Sequence, residues 1–253
     1  MKRAPKAYKN VDFLNSSEAR TLRILAEYLE PKKRFDTEKI KHTIVFFGSS
    51  RAKPEPPKDP SDFDSSKYYW AAEEFAFQLA TWSKELEKDG NGFAICSGGG
   101  PGIMEAANRG ATRAHAPSIG LNISIPSEQT PNNFISTHLN FEFHYFFMRK
   151  LWFLYHAKAL VVFPGGFGTM DELFETLTLV QTGKLHKTNF PILLYDKAYW
   201  EEVVNFRKLA DYHLISHHDL DLIHYFSTPG EGLEYLKPIL LKTIKDFNNN
   251  KPK

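Results

Sequence analysis

The sequence predicts a doubly wound α/β fold, a mostly parallel sheet flanked by helices in the Rossmann-like manner. Short apolar runs recur between longer stretches of helical periodicity. Two of the runs, Phe93-Ala94-Ile95-Cys96 and Ala159-Leu160-Val161-Val162-Phe163, are continuous rather than alternating, as in strands buried on both faces. Two of them end in glycine-rich turns that lead straight into helix-like segments, Ser97-Gly98-Gly99-Gly100-Pro101-Gly102 and Pro164-Gly165-Gly166-Phe167-Gly168-Thr169.

Residues 1–40 read as a helical extension. Within it Leu22, Leu25, Ala26 and Leu29 fall at helical spacing over residues 17–29, a helix packed on the outside of the main body, before a charged run over 31–41. The first strand, Thr43-Ile44-Val45-Phe46-Phe47, runs into Gly48-Ser49-Ser50-Arg51. Pro54, Pro56, Pro57 and Pro60 then exclude regular structure until about Ser66; that loop either covers a site or is a surface insertion. A helix over 67–88 carries Trp70, Phe75, Leu79, Trp82 and Leu86, and Asp89-Gly90-Asn91-Gly92 stops it. Strands follow at 93–96, 118–123, 139–142, 160–163, 191–195 and 222–225. Helices follow from Ile103 and over 145–156, 169–182, 199–209 and 229–246. No repeat is visible, and only the tail at 248–251 is compositionally biased.

A chain of 253 residues, 42% apolar and 25% charged, fits one large domain over 1–253. With 32 basic and 30 acidic side chains the net charge is +2, too balanced for a nucleic-acid binder that neutralises phosphates in bulk. No apolar run approaches the roughly 20 residues of a membrane span, and no signal-like core follows Met1-Lys2-Arg3, so a cytoplasmic protein without a membrane partner is expected. The single cysteine, Cys96, leaves no intrachain disulfide and reads as a small core residue. The histidines are dispersed apart from His217-His218, and no metal is expected.

In such a sheet ligands bind beyond the carboxyl ends of the strands, near the point where the winding reverses. Three turns hold such positions, at 48–51, 97–102 and 165–169, and their convergence on one anion site is the central expectation. Neither nucleotide fingerprint fits: Ile103 takes the last glycine of G-x-G-x-x-G, and G-x-x-x-x-G-K-[ST] has no match. Ser97–Gly102 taken alone reads equally well as plain structure. Thr169 and Glu172 have the spacing of a capping box, which satisfies backbone rather than ligand; Glu175 lies on the same helix face. Arg149, beside Lys150 in an aromatic helix, needs a carboxylate or phosphate partner, for which Glu172 or a ligand is the candidate.

Gly98-Gly99-Gly100-Pro101-Gly102-Ile103-Met104-Glu105, Met148-Arg149-Lys150 and Pro164-Gly165-Gly166-Phe167-Gly168-Thr169-Met170-Asp171-Glu172 resemble the "Lonely guy" (LOG) family, cytokinin-activating enzymes long mislabelled lysine decarboxylases. The first turn and Phe146-Phe147-Met148-Arg149-Lys150, in place of M-H-x-R-K, look like its bacterial branch. The resemblance implies a phosphoribohydrolase that cleaves the N-glycosidic bond of a nucleoside 5′-monophosphate, AMP-like or a cytokinin nucleotide, to free base and ribose 5-phosphate. It implies no cofactor, and a homodimer or higher homo-oligomer. Nothing marks Lys150 or Lys158 as a pyridoxal phosphate lysine. Arg149 and Glu172 are the implied catalytic pair. Ser49, Arg51, Gly98, Gly99, Gly100, Met148, Lys150, Gly165, Gly166, Gly168, Thr169 and Glu175 are the expected substrate contacts, and Phe143, Tyr145 and Phe146 read either as an exposed subunit contact, the preferred reading, or as core. The alternative is a non-catalytic carrier of a phosphorylated cofactor, as in molybdenum-cofactor carriers of similar fold.

Overall fold

A computed structural model describes residues 3–87, 91–125, 130–185 and 190–249. The expected helix stop at Asp89-Gly90 and the tail from Asn250 lie outside the described residues. The strands are β1 (Thr43–Phe47), β2 (Ala94–Ser97), β3 (Ser118–Ile123), β4 (Asn140–Phe143), β5 (Ala157–Val162), β6 (Ile192–Tyr195) and β7 (Ile223–Phe226). They form one parallel sheet in the order β4-β3-β2-β1-β5-β6-β7. The chain lays β2, β3 and β4 outward on one side of β1 and then returns to place β5 on the other. The winding therefore reverses between β1 and β5, where a crevice must open at the carboxyl end.

The helices are α1 (Val11–Asn15), α2 (Arg20–Thr37), α3 (Ser66–Glu87), α4 (Ile103–Arg113), α5 (Phe146–Tyr155), α6 (Phe167–Gln181), α7 (Lys197–Val203), α8 (Phe206–Asp211) and α9 (Pro229–Asn249). Alternation along each strand divides the core into two layers. Ile44 and Phe46 of β1 pack with Phe75, Leu79 and Leu236 under α3, α4 and α9. Val45 and Phe47 pack with Phe35, Trp152, Phe153, Leu173 and Trp200 under α2, α5, α6, α7 and α8.

Three expectations are corrected. Helix α2 turns the other way: Leu22, Leu25 and Leu29 are about half exposed, and the packed face is Ile24, Tyr28, Pro31 and Phe35. The aromatic face wins because Phe35 stacks on Phe141 and meets Trp152. Pro31 does not end the helix. It lacks the N–H that would bond the Glu27 carbonyl four residues back, and the Trp152 indole N–H donates to that carbonyl instead at 2.9 Å. Second, the helix expected over 199–209 is two, because Asn205 caps α8 through its side chain, which accepts from the Lys208 N–H. Third, Phe143 and Tyr145 are core residues, whereas Phe146 is exposed. The proline loop lies along α3, where the Trp70 indole donates to the Pro54 carbonyl.

His42, 1% exposed at the start of β1, packs against Phe93 and edge-on against Phe247 of α9. Burial, helped by the cations of Lys158, His156 and Lys41, holds its pKa at about 3. The folded chain keeps His42 neutral while the unfolded chain takes up a proton near pH 6.5, so stability is lost as pH falls from about 6.5 toward 3. In denaturant titrations His42→Phe is expected to remove a loss of up to about 1.4 kcal/mol per pH unit below about pH 6. Identical pH slopes for the two proteins would contradict this assignment.

Candidate functional site

The three turns meet at Ser49. Its N–H donates to the Pro164 carbonyl and its own carbonyl accepts from the Ile103 N–H, both at 3.0 Å, while the Phe163 N–H donates to the Phe47 carbonyl at 2.8 Å. Such approach excludes side chains. Gly102 has φ of +71°, and a Cβ there would collide with the Ser49 and Ser50 backbone; one on Gly165 would meet the Thr169 side chain and the Ser49 nitrogen. The turn from β1 and the turn from β5 are thereby held edge to edge at the crevice.

A cavity of about 910 Å³ opens there. Gly98, Gly165, Gly166 and Gly168 form its base, and Ser49, Arg51, Arg149, Thr169 and Glu172 supply its polar groups. Phe146, Phe167, Phe174 and the Val203-Val204 pair form an apolar rim, with Phe167 96% exposed. Val203 and Val204 stand at the break between α7 and α8.

Helix α6 starts two residues before the expected position. Gly166 is its N-cap without a side-chain cap, so Thr169 and Glu172 both lie inside the helix and no capping box forms. The first N–H groups of α6 have no intrahelical acceptor, and the helix start carries a partial positive charge. A Cβ at Gly166 or Gly168 would meet open space, so these positions leave room for a ligand against the backbone.

Arg149 and Glu172 face the same cavity without pairing. Among the described residues Arg149 has no carboxylate within ion-pair distance. Its Nε donates to the Leu121 carbonyl at 2.7 Å and its Nη2 to the Gly98 carbonyl at 3.3 Å, and the guanidinium lies over Phe153. Burial lowers its pKa, opposed mainly by the Glu172 charge; a guanidinium stays ionised regardless. Glu172 is 9% exposed. Burial pushes its pKa up to about 7 against the pull of Lys150 and Arg149, with Glu175 and Asp171 adding to the rise.

Five expected contacts fall elsewhere. The Gly99 N–H is taken by Ser97 Oγ at 3.0 Å, and Asn132 Nδ2 donates to the Gly99 and Gly100 carbonyls, each at 3.0 Å. This turn is therefore tied internally by Asn132, and only Gly98 reaches the cavity. Met148 is packed in the core. Lys150 lies in a shallow adjoining groove, bridging Asp171 at 2.8 Å and Glu175 at 2.6 Å. Burial opposes its charge, but these carboxylates outweigh burial and raise its pKa. The place of Phe146, Phe167 and Phe174 at the cavity and the part of Asn132 were not anticipated: the phenylalanines lie on α5 and α6, where periodicity marks a helix face but not what it faces, and Asn132 is an isolated loop amide.

The chain matches a recognised family. A family model described as "Possible lysine decarboxylase" matches residues 104–236, more than half of the chain, and the protein belongs to that family, the LOG family. The cytokinin riboside 5′-monophosphate phosphoribohydrolase LOG3 of Arabidopsis thaliana is 25% identical over 170 residues, spanning 66% of this chain and 68% of the relative. The X-ray structure of TM1055, a structural genomics target, is similar with a TM-score of 0.53 at 18% identity, over 78% of this chain and 99% of its own. A molybdenum cofactor binding protein from Rippkaea orientalis superposes less closely, with a TM-score of 0.46 at 18% identity over 79% of this chain and 98% of that one. The decarboxylase description would call for pyridoxal phosphate, and the residues do not fit it. Among the described residues no lysine lines the cavity; Lys150 is held charged by two carboxylates, and Lys158 stands at the opposite end of β5 over Phe247.

A carboxylate whose pKa is raised in the folded state costs stability once it ionises. The Glu172 cost is absent below about pH 4.5, grows as pH rises from about 4.5 to about 7 and is constant above that. Glu172→Gln is therefore expected to stabilise the fold by on the order of 2 kcal/mol at about pH 8 and by nothing near pH 4.5. Thermal melts at the two pH values test it, and an equally or less stable variant at the higher pH would contradict the burial of this charge.

Proposed function

We propose that the protein hydrolyses the N-glycosidic bond of a nucleoside 5′-monophosphate, giving free base and ribose 5-phosphate. The observation that carries this is the buried, unpaired Glu172 carboxylate opposite Arg149, in a cavity whose base is open glycine backbone at a helix start. The phosphate rests on the N–H groups of residues 166–169 and the Thr169 hydroxyl, with Ser49 and Arg51 beside it. The base lies against Phe146, Phe167 and Phe174, whose faces accept any planar ring.

Breaking the bond between C1′ and the base nitrogen builds positive charge on the ribose. Ionised Glu172 stabilises that charge and takes a proton from the attacking water as its oxygen bonds C1′; the bonding electrons leave with the base nitrogen, which then receives the proton Glu172 collected, so one water is divided between the two products and the carboxylate is restored. Arg149, clamped by two carbonyls, holds its charge beside Glu172 and orients the ribose. A carboxylate facing a phosphorylated ligand weakens its binding through like-charge repulsion, so Glu172 beside Arg149 favours chemistry over carriage. Apolar area left open on α2 and α5 fits the expected association of copies.

Incubation with AMP followed by chromatography tests the proposal. The wild type is expected to release adenine and ribose 5-phosphate, and Glu172→Gln to lose about 10²- to 10⁴-fold in rate while still binding ribose 5-phosphate. Because the ionised carboxylate is needed, kcat/KM rises with pH through about 7; Lys150→Met removes a cation that favours ionisation and moves that limb to higher pH. AMP recovered bound but intact would identify a carrier, and a fully active Glu172→Gln would remove the carboxylate from the reaction.

A further inference from the structure

The Gly165 carbonyl accepts a hydrogen bond from the Tyr199 hydroxyl at 3.0 Å. Tyr199 is not part of the cavity wall; it reaches the turn from α7. In a trans peptide the carbonyl of one residue and the N–H of the next point in opposite directions. With the Gly165 oxygen drawn toward Tyr199, which is not among the cavity-lining residues, the Gly166 N–H is directed away from Tyr199, and both glycines line the cavity. A peptide between two glycines has little intrinsic preference to hold that orientation.

Tyr199 is itself fixed. Its N–H donates to Asp196 Oδ1 at 3.3 Å, and Asp196 Oδ2 accepts from the Tyr68 hydroxyl at 2.7 Å, with Lys67 Nζ at 3.7 Å. Asp196 holds φ of +68° to cap α7, a conformation a non-glycine residue adopts only when its surroundings enforce it. The Tyr199 ring packs edge-on against Trp200 with centroids 5.3 Å apart. The hydroxyl thus rests on a rigid base outside the cavity.

Building on the anion site assigned above, we propose that Tyr199 is a positioning residue: its hydroxyl locks the Gly165-Gly166 peptide so that the Gly166 N–H is presented to the ligand phosphate. The bond acts before the ligand arrives, so its effect falls on phosphate binding and not on the chemical step.

Tyr199→Phe keeps the ring packing and removes only the hydroxyl. Calorimetric titration of wild type and variant with ribose 5-phosphate and with adenosine, together with AMP kinetics, tests the assignment. Ribose 5-phosphate affinity is expected to weaken, and KM for AMP to rise, by about 3- to 10-fold, the worth of one hydrogen bond. Adenosine affinity and kcat are expected to stay within about twofold of wild type. A variant that binds ribose 5-phosphate as wild type does would overturn the role of Tyr199 and leave the anion site standing. Equal weakening toward adenosine would overturn it as general loosening. A wild type that does not bind ribose 5-phosphate would overturn the anion site and this role with it.

Discussion

The site depends on one short backbone contact set. Ser49 bonds through its N–H to the turn after β5 and through its carbonyl to the start of α4, so one residue joins three segments far apart in sequence. The strand order places β1 and β5 side by side with opposite winding, which supplies the crevice. The Ser49 bonds set its width, and the glycines at 102 and 165 make that width attainable, because a Cβ at either would meet backbone. Helix α6 then begins at the mouth of the crevice with its first N–H groups uncommitted.

Electrostatics complete what the backbone begins. A buried guanidinium and a buried carboxylate ordinarily find each other. Here the guanidinium is diverted to the Leu121 and Gly98 carbonyls, and the carboxylate is left to the field of its neighbours, with its pKa displaced upward to about 7. That arrangement is unfavourable to the fold and favourable to a ligand, because both charges remain available at one cavity. Lys150 tempers it from outside, neutralised by Asp171 and Glu175 so that its own charge is not free to collapse onto Glu172.

Much of this was legible in the residues. Strands buried on both faces, such as β1 and β2, appear as apolar runs, while the edge strand β4 alternates, and all seven expected strands are present among the described residues. Of the expected site residues, Ser49, Arg51, Gly98, Arg149, Gly165, Gly166, Gly168, Thr169 and Glu172 come together because each sits at a strand end or helix start that the topology brings to the switch point. What was not legible depends on partners remote in sequence. Gly99 and Gly100 look like a cradle until Asn132, from another loop, takes their carbonyls. The leucines of α2 mark an amphipathic helix correctly but not the face that packs, which Phe35 and Trp152 decide. Phe143 and Tyr145 differ from Phe146 only in which way β4 and the following turn aim them.

Amide chemical shifts followed by NMR while inorganic phosphate is added test the central claim most directly. If the turn after β5 is the anion cradle, the N–H resonances of Gly166, Phe167, Gly168 and Thr169 move together and saturate, while those of Gly99 and Gly100, tied by Ser97 and Asn132, stay in place. Saturating shifts at Gly99 and Gly100 with none at residues 166–169, or no saturating shifts at any of the three turns, would contradict it.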